Sequence, residues 1–296
     1  MAIGAVDANT ATEAVTTAYG YQMDLSTSFT GEDTLSVAID AGDGSTGNSL
    51  AELDLNDTGD GLTVDGITYS FPIGEKLTVL VGDTTDGSAL YSTACVYGGF
   101  TNTLDDCGNA FSAFTAPDDS SALSASYDIG NGFTAAFGYA GQGASTAGLI
   151  TDAGFDYYGG QLTYTADNFG FSVTYANLEG VVTTVPATDA TVWGLNGYYT
   201  FDGNLPSISV GYEMGDTEIA TVNDTTQWFV GLQWDEMGPG TLGIAAGNKG
   251  PQLDGGTEEN AYELFYAYSV NDLSLIHISE PTRPLYISYA VFGLKK

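Results

Sequence analysis

The sequence predicts an all-β protein, an up-and-down antiparallel transmembrane β-barrel with short turns at one end and long loops at the other. Three observations carry that prediction. Apolar residues alternate with polar or small ones through nearly the whole chain, the period of a strand with two unlike faces. The connections between alternating segments are short and long by turns, as in an up-and-down barrel. The second face of each segment is Ser, Thr, Gly, Gln or Asp with almost no Lys or Arg, which suits a water-filled lumen and does not suit a sandwich core.

Composition removes the competing classes. The chain has 296 residues, with 5 Lys+Arg against 38 Asp+Glu and a net charge of -33. Its 19 Tyr and 14 Phe are too many for a disordered acidic polymer. Two Lys and no Arg precede residue 283, so no basic face exists to bind nucleic acid. Gly and Thr are spread throughout, and no stretch reads as an Ala/Leu/Glu/Lys helix. No apolar run reaches the ~18 residues that a transmembrane helix needs.

Taken in order, the first full segment sets Tyr19, Tyr21, Met23, Leu25 and Phe29 against Gln22, Asp24, Ser26 and Ser28. The alternation returns as Leu35/Val37/Ile39, Ile67/Tyr69/Phe71/Ile73, Leu77/Val79/Val81, Leu123/Ala125/Tyr127/Ile129 and Phe133/Ala135/Phe137/Tyr139. Next come Leu162/Tyr164, Phe169/Phe171/Val173/Tyr175, Trp193/Leu195/Tyr199/Phe201 and Ile208/Val210/Tyr212/Met214. Trp228/Val230/Leu232/Trp234, Leu242/Ile244/Ala246 and Tyr262/Leu264/Tyr266/Tyr268/Val270 complete thirteen strands, and Ala2–Val6 reads as the end of one more. Short turns are expected at Thr30–Asp33, Gly74–Glu75, Gly130–Asn131, Asp167–Asn168, Asp202–Asn204, Glu236–Pro239 and Asn271–Asp272. Long loops are expected at Asp7–Ala14, Gly42–Gly61, Asp83–Ser121, Gly141–Asp156, Leu178–Ala190, Gly215–Thr225 and Asn248–Glu259. Tyr, Phe and Trp recur near strand ends, as in interfacial girdles. Lipid leaves no backbone group unpaired, so the sheet is expected to close. A closed antiparallel barrel needs an even count. The expectation is therefore about fourteen visible strands of a parent of about sixteen, cut at both ends.

The last 24 residues read differently. They hold the only His, His277, and the only Arg, Arg283, with Lys295 and Lys296. Leu273–Lys296 resembles the in-frame translation of a sequencing adapter, departing from it at Gly293, where the adapter encodes Cys. The expected organisation is a β-barrel over residues 1–272 and an artefactual tail over 273–296, so His277 and Arg283 receive no role.

Leu25–Gly44 and Ile67–Asp83 resemble the porin domain of cyanobacterial outer-membrane porins, a group that includes the iron-uptake porins and is related to the carbohydrate-selective porins. Asp167–Asn177, Leu205–Asp216 and Gln227–Glu236 are similar to the same family. The most specific part is Ser28, Phe29, Thr30, Gly31, Glu32, Asp33, Thr34 and Leu35. The resemblance spans about Ala2 to Asp272. It implies a homotrimer in outer-membrane lipid of a Gram-negative bacterium that passes small hydrophilic solutes and inorganic ions passively, without a cofactor.

Several residues stand out within that frame. Cys95 and Cys107 lie in the longest loop and read as a disulfide, two Cys in an otherwise Cys-free exported barrel. The bridge fits a loop folded into the pore as a constriction, with Phe100, Asp105, Asp106, Phe111 and Phe114 narrowing it. A stapled surface loop fits equally. Acids crowd the long loops, and Asp43, Glu52, Asp54, Asp57, Asp60, Asp118 and Asp119 are the candidates for a cation-attracting pore mouth. An acidic exterior that merely keeps the surface solvated is the plainer account. Asp54, Asn56 and Asp60 half-resemble a calcium loop, but Thr58 and Asp65 break the pattern. No His or Arg stands before the tail, so triads and His-based metal sites cannot be built and an enzyme is not expected. The alternative to a channel is a non-conducting structural or adhesive barrel, or a soluble secreted β protein.

Overall fold

The computed structural model describes residues 2–4, 16–43, 56, 58–99, 104, 107, 120–142, 148–151, 154–182, 188–216, 224–248 and 250–268. A short pair comes first, β1 (Ala2–Gly4) with β2 (Thr16–Ala18). Then follow β3 (Gly20–Thr27), β4 (Thr34–Gly42), β5 (Thr63–Ile73), β6 (Leu77–Asp83), β7 (Ser121–Gly130) and β8 (Phe133–Gly141). The second half holds β9 (Asp156–Thr165), β10 (Phe169–Val182), β11 (Thr188–Tyr199), β12 (Ser207–Asp216), β13 (Thr225–Met237), β14 (Gly240–Asn248), β15 (Gln252–Leu253) and β16 (Asn260–Tyr268). From β3 to β14 each strand pairs antiparallel with the next, and β16 follows β14 in a 14-stranded sheet, with β15 attached to β13. This is the up-and-down antiparallel order that the alternation predicts.

Which face looks outward is decided by burial, and β9 shows it within a few residues. Tyr158 and Leu162 are 39% and 45% exposed, whereas Gln161 and Thr163, one step along the strand, are 5% and 2% exposed. The same inversion runs through the sheet. Trp193, Val210, Trp228, Ile244 and Leu264 are exposed, while Ser124, Ser172, Thr174, Asn196, Ser209 and Glu213 are buried. In water this arrangement would leave a large apolar surface in contact with solvent, far beyond what soluble proteins tolerate. In hydrocarbon the same surface costs nothing, and the polar face is kept for the interior.

Register explains why the outward set is continuous. Across β12 and β13, Val210 faces Val230, Ile208 faces Leu232 and Tyr212 faces Trp228. Across β10 and β11, Phe171, Val173 and Tyr175 face Gly197, Leu195 and Trp193. A slip of one residue would set outward side chains against the other face, as Leu195 against Ser172 or Thr174, so the two unlike faces hold the register.

Four features differ from the sequence expectation. Among the described residues the 2–4 segment pairs with β2 alone, outside the main sheet. The 178–190 loop is shorter than expected, because β10 and β11 run on to Val182 and from Thr188 past a bulge after Leu178. Phe201 falls in the turn after β11 rather than in the strand. No ladder joins β3 to β16 among the described residues, so the described sheet is open where closure was expected. The turn at 271–272, Val270 and the whole of 273–296 lie outside the described residues.

The β3–β4 turn, the most specific stretch of the family resemblance, is built round one carboxylate. Asp33 accepts from the Ser28 and Thr30 hydroxyls at 2.7 and 2.6 Å and from the Thr30 amide at 2.7 Å. Its other oxygen accepts from Tyr69 of β5 at 2.8 Å, tying the turn to a third strand. Gly31 supplies the positive φ of 90° that the turn needs. The Thr30 hydroxyl first, then that of Ser28, holds the Asp33 carboxyl well below the usual carboxylate range. A depressed folded pKa contributes stability above the unfolded value of ~3.9 and loses it as pH falls through the folded value. Melts of detergent-folded protein should therefore show an acid-side loss that is smaller in Asp33→Asn. A variant that melts with an unchanged pH profile would contradict this account of the turn.

Candidate functional site

The connection from β6 to β7 does not stay at the rim. Its segment 84–99 enters the concave side of the sheet and crosses the inner faces of the strands. Alternate amides of this segment donate in turn to polar side chains of β7, β9, β10, β12 and β13. Leu90 N–H reaches Ser124 Oγ at 3.3 Å, Ser92 reaches Gln161 Oε1 at 2.7 Å and Ala94 reaches Ser172 Oγ at 3.2 Å. Val96 reaches Ser209 Oγ at 3.1 Å, and Gly98 reaches Gln233 Oε1 at 2.8 Å. Eight residues of extended chain span ~26 Å, and six strand spacings cover ~29 Å of curved wall, so the segment is a chord across the strands. Every second residue of an extended chain points its N–H the same way, and this makes the row possible.

Further side chains of β9, β13 and β16 hold the segment as well. Tyr157 donates its hydroxyl to Tyr91 at 3.1 Å, and Thr163 donates to the Ser92 carbonyl at 2.9 Å. Gln161 Nε2 donates to Thr174 Oγ1 at 2.9 Å while its oxygen takes the Ser92 amide. Tyr97 donates to Glu263 Oε1 of β16 at 2.7 Å and packs edge-on against Phe229 and Phe265, with centroids at 5.4 and 5.5 Å. Burial pushes the Tyr91 phenol up to about 12. Tyr97 is pushed up as well, by burial first and then by the Glu263 carboxylate that its hydroxyl meets. Both hydroxyls stay protonated and act as fixed donors or acceptors.

Two glycines make the close approach possible. A Cβ on Gly138 of β8 would overlap the Gly87 carbonyl. One on Gly231 of β13 would sit 2.7 Å from the Tyr97 ring. The interior also holds two apolar clusters that the sequence reading passed over. One gathers Tyr157, Ala176, Leu178, Ala190 and Val192. The other gathers Tyr97, Leu104, Phe229, Ala245 and Phe265 beside Cys107. Their signal in the sequence is a local loss of alternation, such as Tyr157 next to Tyr158 and the run from Trp228 to Val230.

The sequence candidates separate clearly. Cys95 and Cys107 are joined by a disulfide with Cα atoms 6.4 Å apart, at the far end of the inner segment. Phe100, Asp105, Asp106, Phe111 and Phe114 lie outside the described residues, as do Glu52, Asp54, Asp57, Asp118 and Asp119. Asp43 and Asp60 come together on Tyr19: the Tyr19 amide donates to Asp43 at 2.7 Å and its hydroxyl to Asp60 at 2.7 Å. They brace the long-loop end of β3 and β4. The Asp60 carboxylate raises the Tyr19 phenol above its ordinary value. Of the calcium candidates, Asn56 donates to the Tyr21 carbonyl at 3.2 Å, and Asp60 is the Tyr19 partner already described. Among the described residues no group of three His, Cys, Asp or Glu is arranged to hold a metal.

The inner segment generates a sharp test. Gly138→Ala should destabilise the folded barrel by about 1–3 kcal/mol in a urea titration, because its new methyl group would displace Gly87. Gly197→Ala is the control, since a Cβ there would have its nearest neighbour at 3.4 Å, and it should stay within about 0.5 kcal/mol. Equal effects at the two positions would contradict the close approach.

No family model matches the sequence, and no curated protein matches it. Among solved structures, OprB of Pseudomonas putida overlaps with a TM-score of 0.52 at 13% identity, covering 84% of this chain and 71% of that one. A mutant porin of Rh. blastica overlaps at 0.46 and 14% identity, covering 86% and 81%. OmpT of Vibrio cholerae, an outer membrane protein in a trimer form, overlaps at 0.46 and 15% identity, covering 77% and 79%. The two weaker overlaps carry no argument. The likeness to OprB shows the fold: an up-and-down antiparallel β-sheet of the porin kind.

Proposed function

We propose that this chain is an outer-membrane channel of a Gram-negative bacterium through which small hydrophilic solutes and inorganic ions diffuse passively. The observation that carries the reading is the inversion of the two faces, apolar outward and polar inward, on a sheet of the porin fold. Such a wall separates hydrocarbon from water and leaves a polar path between them. The inner segment supports the reading further. A chord pinned by a row of amide donors narrows the lumen without moving, so size selection needs no gate. In this reading Phe100, Asp105, Asp106, Phe111 and Phe114 complete the constriction, and the barrel over 1–272 is the working unit.

The charge balance supports a cation preference. At a net charge of -33, the field at the mouth concentrates cations and repels anions. Asp43, Glu52, Asp54, Asp57, Asp60, Asp118 and Asp119 form the acidic mouth in this reading. The sequence resemblance refines the assignment to the cyanobacterial porins and to a homotrimer. Catalysis has no comparable support, since the buried acids Asp33, Asp40, Asp156, Glu213 and Glu263 lie on five separate elements, and Asp33, Asp156 and Glu263 are engaged by Tyr69, Tyr139 and Tyr97.

One observation favours the rival, a non-conducting structural barrel: the inner segment covers much of the inner face of β7 to β16. Planar-bilayer recording decides between them. The channel reading expects stepwise conductance increments and, under a KCl gradient, a reversal potential displaced toward that of K+. A protein that inserts without current steps would overturn the channel. A reversal potential at zero or toward Cl− would overturn the cation preference alone.

A further inference from the structure

The inner segment does not cover the whole wall. Inner-face residues of β7 to β16 such as Ser124, Ser172 and Glu213 are sealed, whereas Gln22, Asp24 and Ser26 of β3 remain exposed. The short-turn end of β5 to β8 is open as well, and a recess of about 300 Å³ there reaches Ser92 of the segment. It is lined by Lys76 and Glu75 of the β5–β6 turn, by Asp128 of β7, and by the hydroxyl residues Thr78, Ser126 and Thr134.

Lys76 is the only cationic side chain among the described residues, in a chain of net charge -33. It occupies an inward position in register with Thr78, and its carbonyl accepts the Asp128 amide at 2.8 Å, which fixes turn and strand together. Asp128 is fixed in turn, because its Oδ1 accepts the Gly130 amide at 2.8 Å. One cation and two carboxylates therefore share a small, hydroxyl-lined space beside the path. A free anion entering it meets Glu75 and Asp128 as well as the acidic field of the whole chain. A free cation meets Lys76. A small molecule carrying both signs satisfies both, with its carboxylate on Lys76, its ammonium toward Asp128 and Glu75, and its polar atoms on the hydroxyls.

We propose that this recess is a subsite for small zwitterionic solutes of the amino-acid type, met by solute passing along the open wall beneath the inner segment. The proposal rests on the channel reading and adds a solute class to it. The test is single-channel recording on the full chain with glycine as the probe, against glucose, methylammonium and acetate at matched osmolarity. Glycine is expected to reduce the current at a concentration about tenfold below that needed for the other three. Lys76→Gln should remove that difference, and Lys76→Arg should retain it. Neither change touches a backbone hydrogen bond, and heat-modifiable gel migration matching that of the unmodified protein confirms that the variants fold. Equal reduction by all four solutes, or selective reduction that survives Lys76→Gln, would overturn the subsite while leaving the channel standing. Absence of current steps from the unmodified protein would overturn the channel reading and the subsite together.

Discussion

A backbone amide placed in hydrocarbon must find its partner inside the protein, and everything else in this molecule follows from that requirement. Antiparallel ladders run without a break from β3 through β14 to β16. Once the backbone is satisfied laterally, the side chains are free to divide between two solvents. Lipid takes the Trp, Val, Leu and Tyr of one face, and the interior takes Ser, Thr, Gln and Glu. The unpaired edges of β3 and β16 are the places where the described residues leave the requirement unmet.

The inner segment obeys the same rule by another route. Crossing the strands instead of lying beside one, it forms no ladder with them. Its amides turn to Ser124, Gln161, Ser172, Ser209 and Gln233 in place of carbonyls. The polar inner face is thus more than a wetted wall, because its hydroxyl and amide groups are the hydrogen-bond partners of a second layer. The Ala94 amide is buried, and losing its Ser172 partner would cost about 1–3 kcal/mol; together the five bonds fix the course of the segment. Rigidity suits a passive filter, since its aperture must be the same for every solute that arrives.

Much of this was legible in the chain because period-2 alternation and lipid burial are the same fact seen twice. Phe169, Phe171, Val173 and Tyr175 could be placed on one face by counting, and the turns at Gly74–Glu75 and Asp167–Asn168 by their Gly, Asp and Asn. What escaped counting was whatever depends on two distant segments meeting. Gly138 reads as a weak point in a strand until Gly87 is seen against it. Phe229 and Tyr157 sit on the inner face against the rule, because the inner segment and its disulfide create a second apolar contact there. Asp43 and Asp60 were grouped as mouth acids by composition, and the fold uses both to hold Tyr19. The inner course of 84–99 was open to two readings, since a Cys pair 12 residues apart staples a loop equally well at the surface or in the lumen.

The outward orientation of the apolar face can be measured directly, because all three Trp of the chain, Trp193, Trp228 and Trp234, occupy outward positions. Refolded into bilayers of lipid brominated along the acyl chain, the protein should lose most of its Trp fluorescence relative to ordinary lipid, while aqueous iodide leaves it largely intact. Fluorescence indifferent to the bromine, with the rings shielded in a protein interior, would contradict the membrane-facing barrel and the channel built on it.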